Sequence, residues 1–214
     1  RTVMWTVALP NARRLRSLAQ LLERSGVDVA PLQDAERKLL LTGDGVRFLI
    51  CRAADVPTFV EYGAADVGVA GKDVLWETGG DVAELLDLQL GRCEMVVAVP
   101  KSSGIRHVCQ LGFNSRVATK YPRVAARYFL EQGIQIDVIP LHGNIELAPL
   151  VGLADAVVDL TETGRTLREN DLIPIASVGV STARLIANRV RYKLQYERIA
   201  ALVAALRDGL ESGG

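Results

Sequence analysis

The chain has 214 residues, 49% of them hydrophobic and 23% charged, with 25 Lys and Arg against 25 Asp and Glu. That composition is enough for one large globular domain or two smaller lobes. The balanced charge excludes a global field for nucleic acid or a membrane surface, so an anionic ligand must be held by locally placed Arg, Lys and backbone N–H groups.

Short apolar runs alternate with amphipathic stretches from end to end, the pattern of an α/β fold. Taken in order, a strand is predicted over Val3–Leu9, a helix over Arg13–Ser25 with Gly26 as its stop, and a strand over Val46–Cys51. A helix over Val56–Tyr62 and strands over Val67–Ala70, Met95–Val99 and Val117–Thr119 follow. Next come a helix over Arg123–Gln132 stopped by Gly133, a strand over Ile136–Pro140, a helix over Ile145–Leu150 and a strand over Ala156–Leu160. The tail Ala183–Leu210 reads as a long packing helix, because Ile186, Val190, Leu194, Ile199, Leu202, Val203 and Leu206 keep an approximate helical period.

No apolar stretch approaches the roughly 20 residues of a membrane span. Arg13, Arg14 and Arg16 interrupt the one early apolar segment, so no signal peptide is expected. Cys51, Cys93 and Cys109 have no metal-ligand spacing; the first two lie in apolar runs and read as core-strand thiols. The expectation is a cytoplasmic protein.

Gly63-Ala-Ala-Asp66-Val-Gly-Val69 and Gly152-Leu-Ala-Asp155-Ala-Val-Val158 share the pattern Gly-x-Ala-Asp-x-x-Val. Each follows a short amphipathic stretch and runs through a strand into a Gly-containing loop, Gly71-Lys-Asp73 or Thr163-Gly-Arg-Thr166. Two such units predict two similar lobes whose strands end at a shared cleft, where open α/β sheets bind ligands. The chain then crosses near Leu90–Glu94 and returns near Val178–Ala183. Residues 1–92 plus 183–214 form a discontinuous first lobe, and residues 93–182 the second.

The segment Asp155–Leu167 carries the strongest chemical signal. An apolar strand delivers Asp159, and a loop of small, hydroxylated residues then opens a helix at Leu167–Glu169. Such a loop can aim several N–H groups at one anion, helped by the helix start. Thr161, Thr163 and Thr166 add hydroxyl donors, Gly164 lets the backbone approach a phosphate, and Asp159 and Glu162 can accept bonds from sugar hydroxyls. On its own the loop reads equally as a Thr-rich helix cap.

The wider pattern separates these readings. Glu146, Gly152-x-Ala154, Val157-x-Asp159-Leu160 and Thr163-Gly-x-Thr166-Leu167 span 22 consecutive positions and resemble the signature of the ATP phosphoribosyltransferase family. Arg52-x-x-Asp55-x-Pro57 with Gly63-x-Ala-Asp66-x-Gly-x-x-Gly71-x-Asp73 resembles that family's first-lobe motif. Arg116-Val-Ala-Thr-Lys-Tyr-Pro122 resembles its second-lobe strand and helix start.

The resemblance implies two periplasmic-binding-protein-like (type II) lobes around a cleft. It also implies transfer of the 5-phosphoribosyl group from phosphoribosyl pyrophosphate to N1 of ATP, the first step of histidine biosynthesis, with Mg²⁺ carried by substrate phosphates and no metal site on the protein. Asp159 and Arg52 are the expected catalytic residues. Asp159, Thr161, Glu162, Thr163, Gly164, Arg165 and Thr166 are expected to bind phosphoribosyl pyrophosphate. Arg13, Arg52, Gly71, Asp73, Glu146 and Lys120 are expected to meet ATP.

Adenine N1 is already a free nucleophile, so no strong general base is needed, and His107 and His142 stand without a triad-like setting. What the reaction needs is neutralisation of departing pyrophosphate and aligned substrates, for which Arg13, Arg52, Lys72, Arg92, Lys120 and Arg165 stand at strand ends. The family's first strand usually leads into Leu-Pro and a Lys-Gly-Arg-like triplet; here Asn11-Ala12-Arg13 keeps only the Arg. The length resembles the short form, whose members work with a separate subunit related to histidyl-tRNA synthetase, as a homodimer within a hetero-oligomer. The alternatives are a cytoplasmic phosphoribosyltransferase acting on a free nucleobase, which would usually carry two adjacent acids where this chain has Asp159-Leu160, and a two-lobe anion binder without catalysis.

Overall fold

The computed structural model describes residues 4–11, 13–33 and 37–213. The chain divides into two compact units, Arg1–Gly91 with Thr182–Gly214, and Arg92–Ser181. In chain order the first unit begins with β1 (Trp5–Pro10), α1 (Leu15–Arg24), α2 (Ala30–Gln33), β2 (Leu40–Thr42) and β3 (Val46–Cys51). It continues with α3 (Val56–Glu61), β4 (Val67–Gly71), α4 (Lys72–Thr78) and β5 (Ala83–Asp87). The second unit comprises β6 (Cys93–Pro100), β7 (Arg116–Thr119), α5 (Pro122–Glu131), β8 (Asp137–Pro140), α6 (Leu147–Leu150), β9 (Ala156–Thr161), α7 (Arg165–Glu169) and β10 (Leu172–Ser181). The chain then returns to the first unit as β11 (Ala183–Ala187), α8 (Arg189–Leu194) and α9 (Tyr196–Glu211). Val3, assigned to the first strand by sequence, lies outside the described residues.

Each unit is built on one sheet. The first has strand order β2-β3-β1-β4-β11-β5 and the second β10-β6-β9-β7-β8. Within the first, β3, β1 and β4 run parallel while β11 and β5 run antiparallel to their neighbours. Within the second, β8, β7 and β9 are parallel and β6 and β10 antiparallel. The order β3-β1-β4-β11-β5 thus repeats as β8-β7-β9-β6-β10. In each sheet the strand that follows the crossing from the other unit occupies the same place, beside β4 or beside β9.

The sequence echo has a structural cause. The Asp66 carboxylate accepts the Thr6 N–H at 2.8 Å and its own N–H donates to the Thr6 carbonyl at 2.9 Å. Asp155 does the same to Arg116, at 2.8 Å in both directions. Each aspartate grips the start of the neighbouring parallel strand and sets its register, Val7 beside Val67 and Val117 beside Ala156.

Strand alternation distributes the core. Val7, Leu9, Val67, Val69 and Leu185 pack with Leu18, Leu21, Leu22, Ile199 and Leu206 of α1 and α9 on one face of the first sheet. Ala8, Ala70 and Ile186 face Val56 and Val60 of α3 on the other. In the second unit Ala118 and Val157 pack with Ile145, Ala148 and Leu167.

The tail is not one helix. Ala183–Ala187 is a strand between β4 and β5, and helix starts at Arg189 and again at Tyr196. The apparent helical period ran across a run in which Leu185, Ile186 and Ala187 are all buried, as a central strand demands. Asn188 ends the strand: its Oδ1 accepts the Arg191 N–H at 3.0 Å, and its Nδ2 donates to the Val60 and Glu61 carbonyls at 2.9 Å each. Strand-to-helix conversion and anchoring of α3 are done by one side chain. Of the cysteines placed in core strands, Cys51 and Cys93 do lie in β3 and β6, but both are half-buried.

Candidate active site

In both units the parallel strands end on one edge of the sheet, and the residues singled out from sequence gather at those edges. In the first unit β1 ends at Pro10, β3 at Cys51 and β4 at Gly71. Exposed Arg13 and Arg52 follow the first two closely. Ala12 lies outside the described residues. The loop expected at Gly71-Lys-Asp73 is instead a direct passage from β4 into α4, with Gly71 as the cap and Asp73 in the first turn. The Asp73 carboxylate lies where a Cβ on residue 71 would point, so a larger residue there would have to displace that side chain. Lys72 is engaged within its own unit, its Nζ 2.7 Å from Glu84, which also meets Arg184 at 3.1 Å.

In the second unit β7 ends at Thr119, β8 at Pro140 and β9 at Thr161. Lys120 is exposed just past β7, Glu146 is half-buried immediately before α6, and Asp159 is half-buried near the end of β9. Asp159 lies two residues beyond Val157, so it projects from the side of the sheet that α6 covers. Its Oδ1 accepts the Leu160 N–H at 2.8 Å. Burial pushes its carboxyl up from 3.8 to about 6; the Leu160 N–H opposes this, the Glu146 charge adds to it, and the Lys120 charge opposes it. Lys120 and Glu146, both distant in sequence from Asp159, therefore act on its charge. At neutral pH the Asp159 carboxylate is ionised and ready to accept hydrogen bonds.

The loop beyond β9 is shaped by its own hydroxyls. Thr161 Oγ1 accepts the Gly164 N–H at 2.7 Å, and Thr163 Oγ1 accepts the Arg165 N–H at 3.4 Å. Arg168 Nη1 donates to the Thr163 carbonyl at 2.9 Å. Gly164 has φ +76°, a left-handed conformation that other residues rarely adopt. Glu162, Thr163, Arg165 and Thr166 are exposed.

The helix starts at Arg165, two residues earlier than expected, which puts Thr166 inside its first turn. There the N–H groups of Thr166 and Leu167 have no carbonyl one turn back within the helix. With only five residues in α7, attraction for an anion rests on local N–H groups and hydroxyls more than on a helix dipole. Arg165 is paired with Glu169 at 2.9 Å on the exposed surface, a contact worth only about 0.3–0.5 kcal/mol.

Residues 52–208 match the family model described as ATP phosphoribosyltransferase. The chain belongs to the ATP phosphoribosyltransferase family. The ATP phosphoribosyltransferase of Moorella thermoacetica is 49% identical to it over 219 residues, covering 100% of this chain and 96% of the relative. A solved structure, the ATP phosphoribosyl transferase (HisG:HisZ) complex from Thermotoga maritima, contains a chain that is 33% identical with a TM-score of 0.86, covering 99% of this chain and 100% of that one. The periplasmic aliphatic sulphonate binding protein SsuA from Escherichia coli has a TM-score of 0.62 at 14% identity, covering 98% of this chain and 73% of that one. The fold of this phosphoribosyltransferase is therefore the two-lobed, periplasmic-binding-protein-like type II architecture.

Several residues that organise the phosphoribosyltransferase's strand ends carry no role in the sequence reading. Thr119, fully buried, donates from Oγ1 to the Val158 carbonyl at 2.7 Å and accepts the Tyr121 N–H at 2.9 Å. Asp66 and Asp155 were visible as a repeat, but their grip on Thr6 and Arg116 was not. Thr119 was legible only as one position of the Arg116–Pro122 motif and as a polar residue closing an apolar strand. His107 caps a short 3₁₀ turn with Gln110, and His142 is exposed in the turn after β8. Arg92 is exposed at the start of the second unit. Among the described residues no group of three His, Cys, Asp or Glu side chains comes together, and no helix is long and apolar enough to cross a membrane.

Proposed function

We propose that the chain transfers the 5-phosphoribosyl group from phosphoribosyl pyrophosphate to N1 of ATP, the opening step of histidine biosynthesis. The observation that carries this is a hydroxylated loop at Thr161–Thr166 directly after a half-buried acid, Asp159, in a chain 49% identical throughout to an ATP phosphoribosyltransferase. Thr163, Thr166 and the loop N–H groups hold the 5-phosphate, with Thr161 and Gly164 setting the loop's shape and Arg165 adding charge. Asp159 and Glu162 accept the ribose hydroxyls.

ATP-contacting roles fall to Arg13, Arg52, Gly71 and Asp73 in the first unit and to Glu146 and Lys120 in the second. The N1–C1 bond forms as the C1–O bond to pyrophosphate breaks, and the bonding pair leaves with the pyrophosphate. Arg52 stabilises that growing negative charge, so the chemistry is alignment and charge stabilisation rather than proton abstraction. Mg²⁺ enters on the substrate phosphates, because this hard ion keeps most of its waters and takes few protein ligands; Asp159 and Glu162 are oxygen donors suited to it in kind. When bound, it shields phosphate charge.

The reading includes a separate regulatory subunit related to histidyl-tRNA synthetase, supported by the HisG:HisZ composition of the similar solved complex, and a homodimer within that assembly. Cys51, Cys93 and Cys109 form no disulfide, which is compatible with a cytoplasmic protein.

The test is pyrophosphate release with phosphoribosyl pyrophosphate and either ATP or free nucleobases as acceptor. Release that requires ATP is expected. Release with a free base but not ATP would make the chain a nucleobase transferase, and ligand uptake without release would make it a binder.

A further inference from the structure

The two units carry the same β-sheet plan, so each serves as a control for the other. Register aligns them residue by residue: Val7 beside Val67 and Ala8 beside Gly68 in the first, Val117 beside Ala156, Ala118 beside Val157 and Thr119 beside Val158 in the second. Leu9 therefore stands where Thr119 stands, Pro10 where Lys120 stands, and Ala70 where Asp159 stands. Leu9 and Thr119 are both 0% exposed. The fold accepts plain hydrocarbon at this strand end, and a buried hydroxyl appears only in the unit whose neighbouring strand carries the acid.

The hydroxyl is committed as both donor and acceptor. Its proton goes to the Val158 carbonyl at 2.7 Å, the residue immediately before Asp159. One of its lone pairs takes the Tyr121 N–H at 2.9 Å, the residue immediately after Lys120. The Thr119 carbonyl in turn accepts the Leu141 N–H at 2.9 Å, the first residue past β8. One buried residue ties together the carboxyl ends of all three parallel strands. Both side-chain bonds land next to residues whose charges act on each other, Lys120 and Asp159. A valine at 119 would fill nearly the same space and leave the Val158 carbonyl and Tyr121 N–H without these bonds.

We propose that Thr119 is a positioning residue for the transfer reaction, holding the Lys120 turn and Asp159 in mutual register through its hydroxyl while touching neither substrate. The proposal rests on the assignment of Asp159 to the ribose, and the test separates the two. Thr119→Val, Thr119→Ser and Asp159→Asn are compared in the full chain with its partner subunit, with steady-state kinetics for both substrates and thermal unfolding.

Thr119→Val should lower kcat roughly tenfold or more while KM for either substrate moves less than about threefold, because misplacement of an aligned group is felt mainly in the transition state. Thr119→Ser should restore kcat to within about threefold of the parent, since it returns the hydroxyl without the methyl. An Asp159→Asn variant with parental kinetics would remove the site assignment and this proposal together. An impaired Asp159→Asn beside a Thr119→Val of parental kcat would overturn the positioning role alone. So would a Thr119→Val defect that serine does not rescue although both variants melt as folded proteins. If Thr119→Val does not fold, Thr119→Ser decides: parental kcat in a folded protein supports the role, and a tenfold loss overturns it.

Discussion

Replacing Asp159 with Asn should make the protein more stable and a worse enzyme, two effects that an ordinary structural aspartate would not combine. Asn keeps the shape and can still accept the Leu160 N–H that Oδ1 now receives at 2.8 Å. What it loses is the charge. In the fold, burial outweighs the Leu160 and Lys120 contributions and lifts the carboxyl from 3.8 to about 6. An acid whose folded pKa lies above its unfolded value binds its proton more tightly when folded. Its contribution to stability is complete below pH 3.8 and is lost as pH rises through about 6.

The rise from 3.8 to about 6, at about 1.4 kcal/mol per pH unit, corresponds to about 3 kcal/mol of strain at pH 7.5. Solvent reaching a half-buried carboxylate reduces this to about 1–2 kcal/mol. In a chain of this length that is an increase in Tm of roughly 2–8 °C. The gain should vanish below about pH 4, where the parent is also neutral.

Catalysis should move the other way. Loss of a charged acceptor for ribose hydroxyls costs about 1.5–3 kcal/mol, a fall in kcat/KM of roughly ten- to a hundredfold. The parent enzyme should show a matching acidic limb, activity falling as pH drops below about 6 and Asp159 takes up its proton. Scanning calorimetry at pH 4 and 7.5 with a pH–rate profile measures both. A variant that melts lower at pH 7.5, with parental kinetics in its folded fraction, would refute the reasoning and make Asp159 a structural cap.

If Thr163 and Thr166 hold the phosphate as proposed, Thr163→Val and Thr166→Val each remove a hydroxyl bond worth about 1.5–3 kcal/mol, so apparent affinity for phosphoribosyl pyrophosphate should fall tenfold or more with the fold intact. Parental kinetics in both would end the loop assignment. Asn188→Ala strips three hydrogen bonds to backbone groups, one of them a helix cap, and should lower stability by about 2–3 kcal/mol in thermal or urea unfolding. A change within 0.5 kcal/mol would show those bonds to be incidental. In the proposed hetero-oligomer, histidine inhibition should require the synthetase-like subunit, because coupling needs a partner that favours one state of this chain. Histidine binding and inhibition of the chain alone would overturn that arrangement.

The alternating apolar runs, the Gly-x-Ala-Asp-x-x-Val repeat and the Thr-rich loop after Asp159 were legible without coordinates, because each is a local pattern written in consecutive residues. Periodicity by itself misread Ala183–Ala187. A run such as Leu185-Ile186-Ala187 is apolar at every position, and only its seat between β4 and β5 tells strand from helix. The Gly71 turn was taken for a loop because nothing in Gly71-Lys-Asp73 itself shows that α4 begins directly at Lys72.

Tertiary structure likewise decided the electrostatics. Asp159 and Glu146 are 13 positions apart and Lys120 is 39 from Asp159, and no spacing rule links them. They interact because β7, β9 and the start of α6 bring them to one sheet edge. Residue types and their order determined what chemistry the chain can offer. Burial and the pairing of distant strands determined which carboxylate is strained, which hydroxyl is locked and which cations are already matched.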